Sequence, residues 1–225
     1  MHDRYEDSER ARAVKQHVVH YIFSKHLCMV MEYSADKVKT LVYGIPMARL
    51  TERNWLDHGL KTLAKSGYAS LKAATMAESL GVSRGSFYWH FKDIRDFQRR
   101  LLEHWQRQTT DATIHDMESN EPEDSRLLAL MTRAYAMKPN LEKAVRAWAE
   151  YDRLAQTQLA KVDGMRLSYI RRLLVTAGLD QVTADHRARF LYAASLGASA
   201  IAPAVSPPFT PENLRDLAEM LTHLL

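Results

Sequence analysis

The chain has 225 residues, of which 46 % are hydrophobic and 26 % are charged, close to the proportions of an ordinary soluble protein. Its formal net charge of +4 permits nucleic-acid binding without requiring it, so the position of the charges matters more than their sum. The single cysteine, Cys28, excludes an intrachain disulfide or a thiolate metal cluster and fits a reducing compartment such as a cytoplasm.

Apolar residues recur at three- and four-residue spacing along most of the chain, and glycine and proline are scarce, at 8 and 7 residues. This pattern predicts an all-α protein with short connections. We divide the chain into an N-terminal extension at 1–48, a compact region at 49–97 and a helical body at 98–225. The most apolar early stretch, residues 18–31, is too short and too often interrupted by polar residues to span a membrane.

The extension at 1–48 has no clear periodic pattern, and two interpretations remain open for it. Either Met47 is the true start and residues 1–46 are an upstream translation, or the extension is real and is disordered or partly helical at 8–23. Peptide mapping of the native protein distinguishes the two, because peptides from 1–46 exclude the later start.

Four short helices are predicted between Thr51 and Phe97. Thr51 is the expected N-cap of the first helix, and Gly67 is expected to end it. Ser70 is the expected cap of the second helix. The predicted buried stripe of that helix consists of Leu71, Ala74, Met76, Ala77 and Leu80.

A tight turn is predicted at Gly81-Val82-Ser83, with Ser83 capping a very short third helix at 84–90. Phe87 and Phe91 are expected to face inward. Two helices set at a steep angle by such a turn can place one of them in the major groove of DNA. The residues expected to point outward from the third helix are Arg84, Ser86, Tyr88 and Trp89.

The residues from Thr75 to Asp93 resemble the DNA-binding signature of the TetR family of repressors, in Leu-Gly-Val-Ser at 80–83 and in Gly-x-Phe-Tyr-x-His-Phe at 85–91. The resemblance covers about residues 50–97. It implies a three-helix DNA-binding head with a helix-turn-helix, followed by a helical body that binds a ligand and forms a dimer.

The resemblance also implies roles for individual residues. Reading positions fall on Ser83, Arg84 and Ser86, while Thr75, Tyr88 and His90 contact the DNA backbone, with Lys92 as an added cation. Trp89 either touches DNA sugars or packs on the fourth helix. Ile94 departs from the usual lysine, so Lys92 or Arg95 would replace that phosphate contact. The predicted DNA-binding set is Thr75, Ser83, Arg84, Gly85, Ser86, Tyr88, Trp89, His90 and Lys92.

The charge of this region is modestly positive. Residues 49–97 contain eight Lys or Arg and five Asp or Glu, a surplus of three positive charges. Serine and tyrosine hydroxyls suit phosphate oxygens, and arginine can pair with guanine edges. We therefore expect DNA binding that depends on salt without extreme non-specific affinity.

In the body, helices are predicted at 124–137, 141–156, 158–177, 183–202 and 211–225, after a connecting helix that Asp93 caps. The segments 183–202 and 211–225 are the predicted homodimer interface. The apolar stripe of the last helix either packs on its own body or, as the resemblance implies, belongs to a four-helix bundle between two subunits. Two-fold symmetry then predicts a palindromic operator. The stripe consists of Leu214, Leu217, Ala218, Leu221 and Leu224.

A pocket for an unknown small-molecule effector is predicted in the body, lined by soft and aromatic side chains. The alternative is that these residues are ordinary core. The residues assigned to the pocket are Met131, Tyr135, Trp148, Tyr151 and Phe190.

The sequence thus predicts a cytoplasmic repressor that a small molecule releases from double-stranded operator DNA. An activator, or an architectural DNA-binding protein without a ligand switch, is the alternative. No cofactor or metal is expected. Neither is catalysis, because the chain has no Gly-rich phosphate loop, HExxH pair or nucleophile elbow.

Overall fold

The computed structural model describes residues 22–24, 27–34, 37–43, 50–137, 139–198, 201 and 208–223. The chain forms two compact units, Met1–Thr51 and Glu52–Leu225. The first unit contains an antiparallel sheet of strands β1 (Ile22–Ser24), β2 (Leu27–Ser34) and β3 (Lys37–Tyr43), in that order. Val30 pairs with Leu41 in the β2–β3 ladder.

These strands differ from the helix expected at 8–23. The last two residues of that range begin β1, and the others lie outside the described residues. Val38, Thr40 and Val42 alternate along β3, and β-branched side chains favour an extended backbone. This alternation spans only the seven residues of β3, which is too short to distinguish a strand from an irregular segment by sequence alone.

The second unit is built from helices, and the predicted all-α class with a helix-turn-helix head and a helical body is confirmed. Its α-helices in the described residues are α1 (Glu52–Ser66), α2 (Ala73–Ser79), α3 (Arg84–Tyr88), α4 (Ile94–Gln106), α5 (Ala112–Asn120), α6 (Arg126–Ala136), α7 (Asn140–Ala149), α8 (Arg153–Thr176), α9 (Gln181–Ala198) and α10 (Pro211–Thr222). None of these helices is both long enough and apolar enough to cross a membrane.

Helix α2 begins later than predicted. Ser70 ends a 3-10 turn, and its hydroxyl donates to the Ser66 carbonyl, so Lys72 takes the N-cap position. Ala74 is exposed, and Ala73 is buried in its place. The later start rotates the buried face by one residue. The rest of the predicted stripe is correct, with Leu71, Met76 and Ala77 buried and Leu80 half-buried.

Four buried aromatic rings form the centre of the head. Trp55 on α1 meets Phe87 on α3 edge-to-face, with ring centroids 5.4 Å apart. Phe87 lies 5.0 Å from Phe91, and Phe91 lies 4.9 Å from Phe97 on α4. Aromatic pairs at such distances stabilise a core beyond the area that they bury. The short helix α3 is thereby fixed to both α1 and α4.

Helices α1 and α4 approach closely at Gly59. A Cβ atom at this position would lie 2.7 Å from Phe97 Cζ and 2.9 Å from Leu101 Cδ1, and both of those side chains are fully buried. The crossing of α1 and α4 therefore requires glycine on sterics alone.

A single helical connection leads from the head into the body. Asp93 caps α4 as predicted, since its side chain accepts a hydrogen bond of 2.8 Å from the Asp96 amide. Helix α4 then passes through a π-helical turn (Arg107–Asp111) directly into α5. Turns of this kind within α-helices are frequent at functional sites.

The body helices are confirmed in number, but one boundary is displaced. Helix α7 ends at Ala149 and α8 begins at Arg153, earlier than the predicted break near residue 157. Asp152 causes the break, because its side chain accepts hydrogen bonds from the Leu154 and Ala155 amides. An aspartate directly before an apolar periodic segment is a signal that could have identified this cap.

Helix α10 begins as predicted, with Thr210 as the N-cap and Pro211 in the first turn. Its apolar stripe joins the core of its own body. The contributing residues are Leu214, Leu217, Ala218 and Leu221, while Leu224 lies outside the described residues.

We predict that Gly59→Ala lowers the free energy of unfolding by about 1–3 kcal/mol, the usual cost of overpacking a filled core. The control is Gly164→Ala in the middle of α8, where a Cβ would meet no atom within 4 Å. That substitution is expected to stabilise the chain by about 0.5–1 kcal/mol. Urea unfolding at one protein concentration measures both. Equal effects of the two substitutions would contradict the close packing of α1 on α4.

Candidate nucleic-acid interface and ligand cavity

Helices α2 and α3 form a helix-turn-helix around Gly81, Val82 and Ser83. Gly81 has a φ of 67°, which residues with a Cβ resist, and its amide donates to the Glu78 carbonyl. The Val82 amide donates to the Ala77 carbonyl and closes the end of α2. Ser83 takes the N-cap position of α3 but makes no capping side-chain hydrogen bond, and it is exposed.

The outer face of α3 carries Arg84 and Tyr88, both exposed. Arg84 Nη2 donates a hydrogen bond of 3.1 Å to the Tyr88 hydroxyl, and the guanidinium lies 5.5 Å from the centroid of the tyrosine ring. Trp89 follows, with 75 % of its surface exposed, so it is not part of the head core. Helix α3 and its C-cap thus carry one exposed cation and two exposed aromatic side chains.

The other residues of the predicted DNA-binding set surround this face. Gly85 has room for a side chain, because the nearest atom to an added Cβ is Ser83 Oγ at 3.6 Å. Steric packing within the chain therefore does not explain why residue 85 is a glycine. Of the rest, Thr75, Ser83 and Lys92 are exposed, while Ser86 and His90 are half-buried.

Residues 56–100 match the family described as bacterial regulatory proteins, tetR family. The matched segment runs from α1 into α4, so it contains the helix-turn-helix and its aromatic core. The likeness to the tetR family is shown for this segment of the chain. Its DNA-binding head is the part of the molecule that the match covers.

Similar proteins extend this result in two ways. A 56-residue segment is 36 % identical to the HTH-type transcriptional regulator AcrR of Shigella flexneri, covering 25 % of the chain and 26 % of that protein. The solved structure of the reduced form of E. coli NemR has a TM-score of 0.64 at 18 % identity, over 76 % of this chain and 96 % of that chain. A TetR transcriptional regulator from Legionella pneumophila has a TM-score of 0.61 at 14 % identity, over 78 % and 97 %. The segment that matches the family lies in the head, and the fold likeness includes the body.

One contact joins the head to the far end of α7, and a second joins it to Asp152, the N-cap of α8. The ring of Tyr68 stacks on Trp148 with centroids 4.8 Å apart. Arg95 Nη1 donates to Asp152 Oδ2 at 2.5 Å. Burial raises the pKa of Asp152, but the hydrogen bonds from Arg95 and from two backbone amides outweigh it and hold the pKa below its ordinary value.

A third contact ties α4 to α1. His104, which is buried, lies with its Nε2 2.6 Å from Asp57 Oδ1, and the Gln108 side chain donates to the same oxygen. The hydrogen bond with His104 is the main cause that lowers the pKa of the Asp57 carboxyl. None of these three contacts was predicted from the sequence, since residues 47 to 80 apart along the chain carry no local signal of pairing.

A cavity of about 280 Å³ lies within the body. One end is polar: Arg166 on α8 donates to the Thr110 hydroxyl at 3.0 Å and to Glu142 on α7 at 3.1 Å. Thr109 and Thr110 belong to the π-helical turn that continues α4. The connection to the head therefore forms part of the cavity wall. The apolar wall includes Ile114, Leu130, Met131, Ile170 and Leu191.

An ionic cluster supports the polar end. Arg146 pairs with both Glu142 and Asp163, at 2.8 and 2.7 Å, while Arg166 pairs with Glu142. Tyr192 donates to Asp163 at 2.6 Å. Burial and the Asp163 carboxylate raise the pKa of Tyr192 to about 12, against the opposing effect of Arg166. Two arginines and two carboxylates leave the cluster without net charge.

The residues assigned to the ligand pocket from the sequence are only partly brought together. Met131 and Tyr135 line the cavity. Trp148, Tyr151 and Phe190 lie outside it: Trp148 stacks on Tyr68, and the other two are 88 % and 63 % exposed. Composition identified suitable residue types, but it did not indicate the direction in which each side chain points.

The outer surface of α9 carries a row of exposed residues at spacings of three and four. Val182 and Phe190 are 65 % and 63 % exposed, although both are large apolar side chains. The opposite side of α9 packs inward through Ala184, Ala188 and Leu191. The helix is therefore apolar on both sides. The exposed row consists of Val182, His186, Phe190, Ala193 and Gly197.

Proposed function

We propose that the chain is a homodimeric repressor that binds a palindromic DNA operator and leaves it when a small molecule occupies the body cavity. The observation that carries the proposal is the exposed Arg84–Tyr88 face on a helix that four buried aromatic rings hold in place. An arginine at the start of a rigid recognition helix suits direct reading of a guanine edge. The site of action would be the cytoplasm, where bacterial DNA lies.

In this proposal Arg84 reads a base, with Ser83 and Ser86 beside it, and Tyr88 releases the arginine and turns its hydroxyl toward a phosphate. The Ile94 position lacks the lysine of the family pattern. Lys92 is the better replacement, because Arg95 is already paired with Asp152 and Lys92 is exposed. Gly85 allows the backbone of α3 to approach the DNA closely.

Dimerisation would use the exposed row on α9 together with the outer side of α10, where Met220 is 54 % exposed. Small residues such as Ala193 and Gly197 permit close approach of a second helix. A two-fold axis through these helices makes the interface self-complementary and sets two α3 helices at successive major grooves.

Release by a ligand would act through two elements that reach from the cavity to the head. The π-helical turn bonds to Arg166 in the cavity wall and continues α4. Helix α7 provides Glu142 to the cavity and, at its far end, Trp148 to the head. A ligand that shifts Arg166 or Glu142 would therefore change the position of the head. The effect is limited to the difference in ligand affinity between the two arrangements.

We expect Arg84→Ala to lower affinity for a genomic fragment retained by the wild-type chain by about 10- to 100-fold, because one arginine–guanine pair is worth about 1–3 kcal/mol. The matched control is Lys161→Ala, which removes one positive charge from an exposed site on α8. Mobility shift at fixed salt measures both variants, and the control is expected to bind like the wild type. An unchanged affinity of the Arg84 variant for DNA would contradict the assignment of α3 as the reading helix.

For the dimer, we expect Phe190→Asp to convert the protein to monomers. A buried, unpaired carboxylate at a two-fold interface occurs twice and costs several kcal/mol. Tyr151→Asp is the control, since Tyr151 is also aromatic and exposed but lies between α7 and α8.

Size-exclusion chromatography with light scattering distinguishes one 25.8 kDa chain from two. Circular dichroism shows whether each variant keeps its helices. A dimer in both variants would count against α9 as the interface.

A further inference from the structure

We propose that Asp152 positions the DNA-binding head without contacting DNA, by holding Arg95 of α4 in an ion pair that forms in the DNA-binding arrangement of the head. Arg95 is then a joint between head and body, and it is not a phosphate contact. The inference rests on the proposed function and adds a positioning residue to it. Asp152 lies outside the segment at 56–100 that matches the family, so that match assigns it no role.

The carboxylate of the pair is fixed on the body side. Asp152 is the N-cap of α8 and is 8 % exposed. Its Oδ1 accepts from the Leu154 and Ala155 amides at 2.9 and 3.2 Å, and its Oδ2 accepts from Arg95 at 2.5 Å. One oxygen is thus used by the helix and the other by the head. Because the carboxylate caps a helix, it cannot follow an arginine that moves away.

The guanidinium of the pair is fixed on the head side. Arg95 Nη1 also donates to Gln98 Oε1 at 3.2 Å, and Gln98 is buried. Arg95 lies in the first turn of α4, two positions before Phe97, whose ring belongs to the aromatic core of the head. The ion pair therefore joins the packed head directly to the start of α8.

A second contact prevents rotation of the head about this pair. Tyr68, in the connection between α1 and α2, stacks on Trp148 near the end of α7. Tyr68 is also close enough to Arg95 to interact with it electrostatically. One contact alone would leave the head free to turn, whereas two contacts define an orientation. The Arg95–Asp152 pair is the polar half of this joint.

The pair can support the head and still be broken. The Arg95 side chain is 61 % exposed, so water can replace the carboxylate at the guanidinium. An ion pair with an exposed partner changes an equilibrium by a factor of about two to five. Because a dimer contains two such pairs, the loss of both is expected to weaken DNA binding by about 4- to 25-fold.

Salt dependence separates a joint from a phosphate contact. Each phosphate contact that is lost lowers the slope of log affinity against log salt by about 0.9, which is about 1.8 for the two copies in a dimer. A joint that only orients the head changes the affinity at every salt concentration and leaves this slope unchanged. The slope therefore shows which role Arg95 has.

Mobility shift at several salt concentrations tests the inference, with a genomic fragment that the wild-type chain retains. The variants are Asp152→Asn, Arg95→Gln and the double variant. Asparagine also caps helices, so the first substitution removes the charge and keeps the start of α8. The second alters an exposed side chain and tests the same pair from the head.

We expect each single variant to bind DNA about 4- to 25-fold more weakly than the wild type, with an unchanged salt slope. The double variant is expected to bind like the single variants, because both substitutions break the same pair. Circular dichroism should show the helix content of the wild type in all of them.

The matched control is Asp180→Asn at the start of α9. Asp180 accepts from the Val182 and Thr183 amides at 2.9 and 3.1 Å, as Asp152 accepts at the start of α8. No arginine or lysine among the described residues pairs with it. The control therefore changes a helix cap without changing an ion pair, and it should bind DNA like the wild type.

Wild-type affinity or tighter binding of Asp152→Asn overturns the inference. Additive effects of the two substitutions, a salt slope lowered by about 1.8 in the Arg95 variant, or equal weakening of the Asp180 control also overturn it. A wild-type chain that retains no DNA fragment overturns the proposed function and this inference with it. That outcome is visible in the wild type alone, so the two failures remain distinguishable.

Discussion

The packing of Phe87 and Phe91 between Trp55 and Phe97 is the constraint on which the rest of the molecule depends. Helix α3 has five residues, too few to hold its own position, so the rings that anchor it decide where Arg84 points. Gly59 allows α1 and α4 to pack in direct contact, because a Cβ atom at this position would overlap Phe97 and Leu101. The three helices of the head and the start of α4 thus move together. The direction of α4 therefore fixes the direction of the Arg84–Tyr88 face.

The other end of the same helical connection lies in the cavity wall, and this gives the body a physical route to the head. Thr110 in the π-helical turn is bonded to Arg166, whose second partner is Glu142 on α7. Helix α7 returns to the head through the Trp148–Tyr68 stack. A molecule bound beside Arg166 would therefore contact two elements that reach the head. Closely packed interfaces of this kind respond by switching between arrangements more than by bending.

The sequence was sufficient to predict structural features that depend on residues close together in the chain. The turn at Gly81, the caps at Asp93 and Thr210 and the inward Phe87 were all predicted, since glycine conformation, capping and helical spacing act within a few residues. The sequence did not predict features that depend on contacts between residues far apart in the chain. Ala74 and Ala73 have the same chemistry, so only the packed head selects the buried one. Trp148, Tyr151 and Phe190 have pocket-like side chains, but the tertiary arrangement turns them to the head or to the surface. The Arg95–Asp152 pair joins residues 57 positions apart, for which one sequence holds no signal.

The most direct test of the account is the symmetry of the DNA that the full-length chain selects from a random pool. If two copies of α3 are held at a fixed separation by a two-fold dimer, the enriched sequences will contain inverted half-sites whose centres lie about 10–10.5 base pairs, or a multiple of that distance, apart. The central positions are expected to be less constrained than the half-sites, since no side chain of α3 reaches them. Enrichment of an asymmetric motif, or of no motif at all, would contradict a dimer that reads DNA through the Arg84–Tyr88 face.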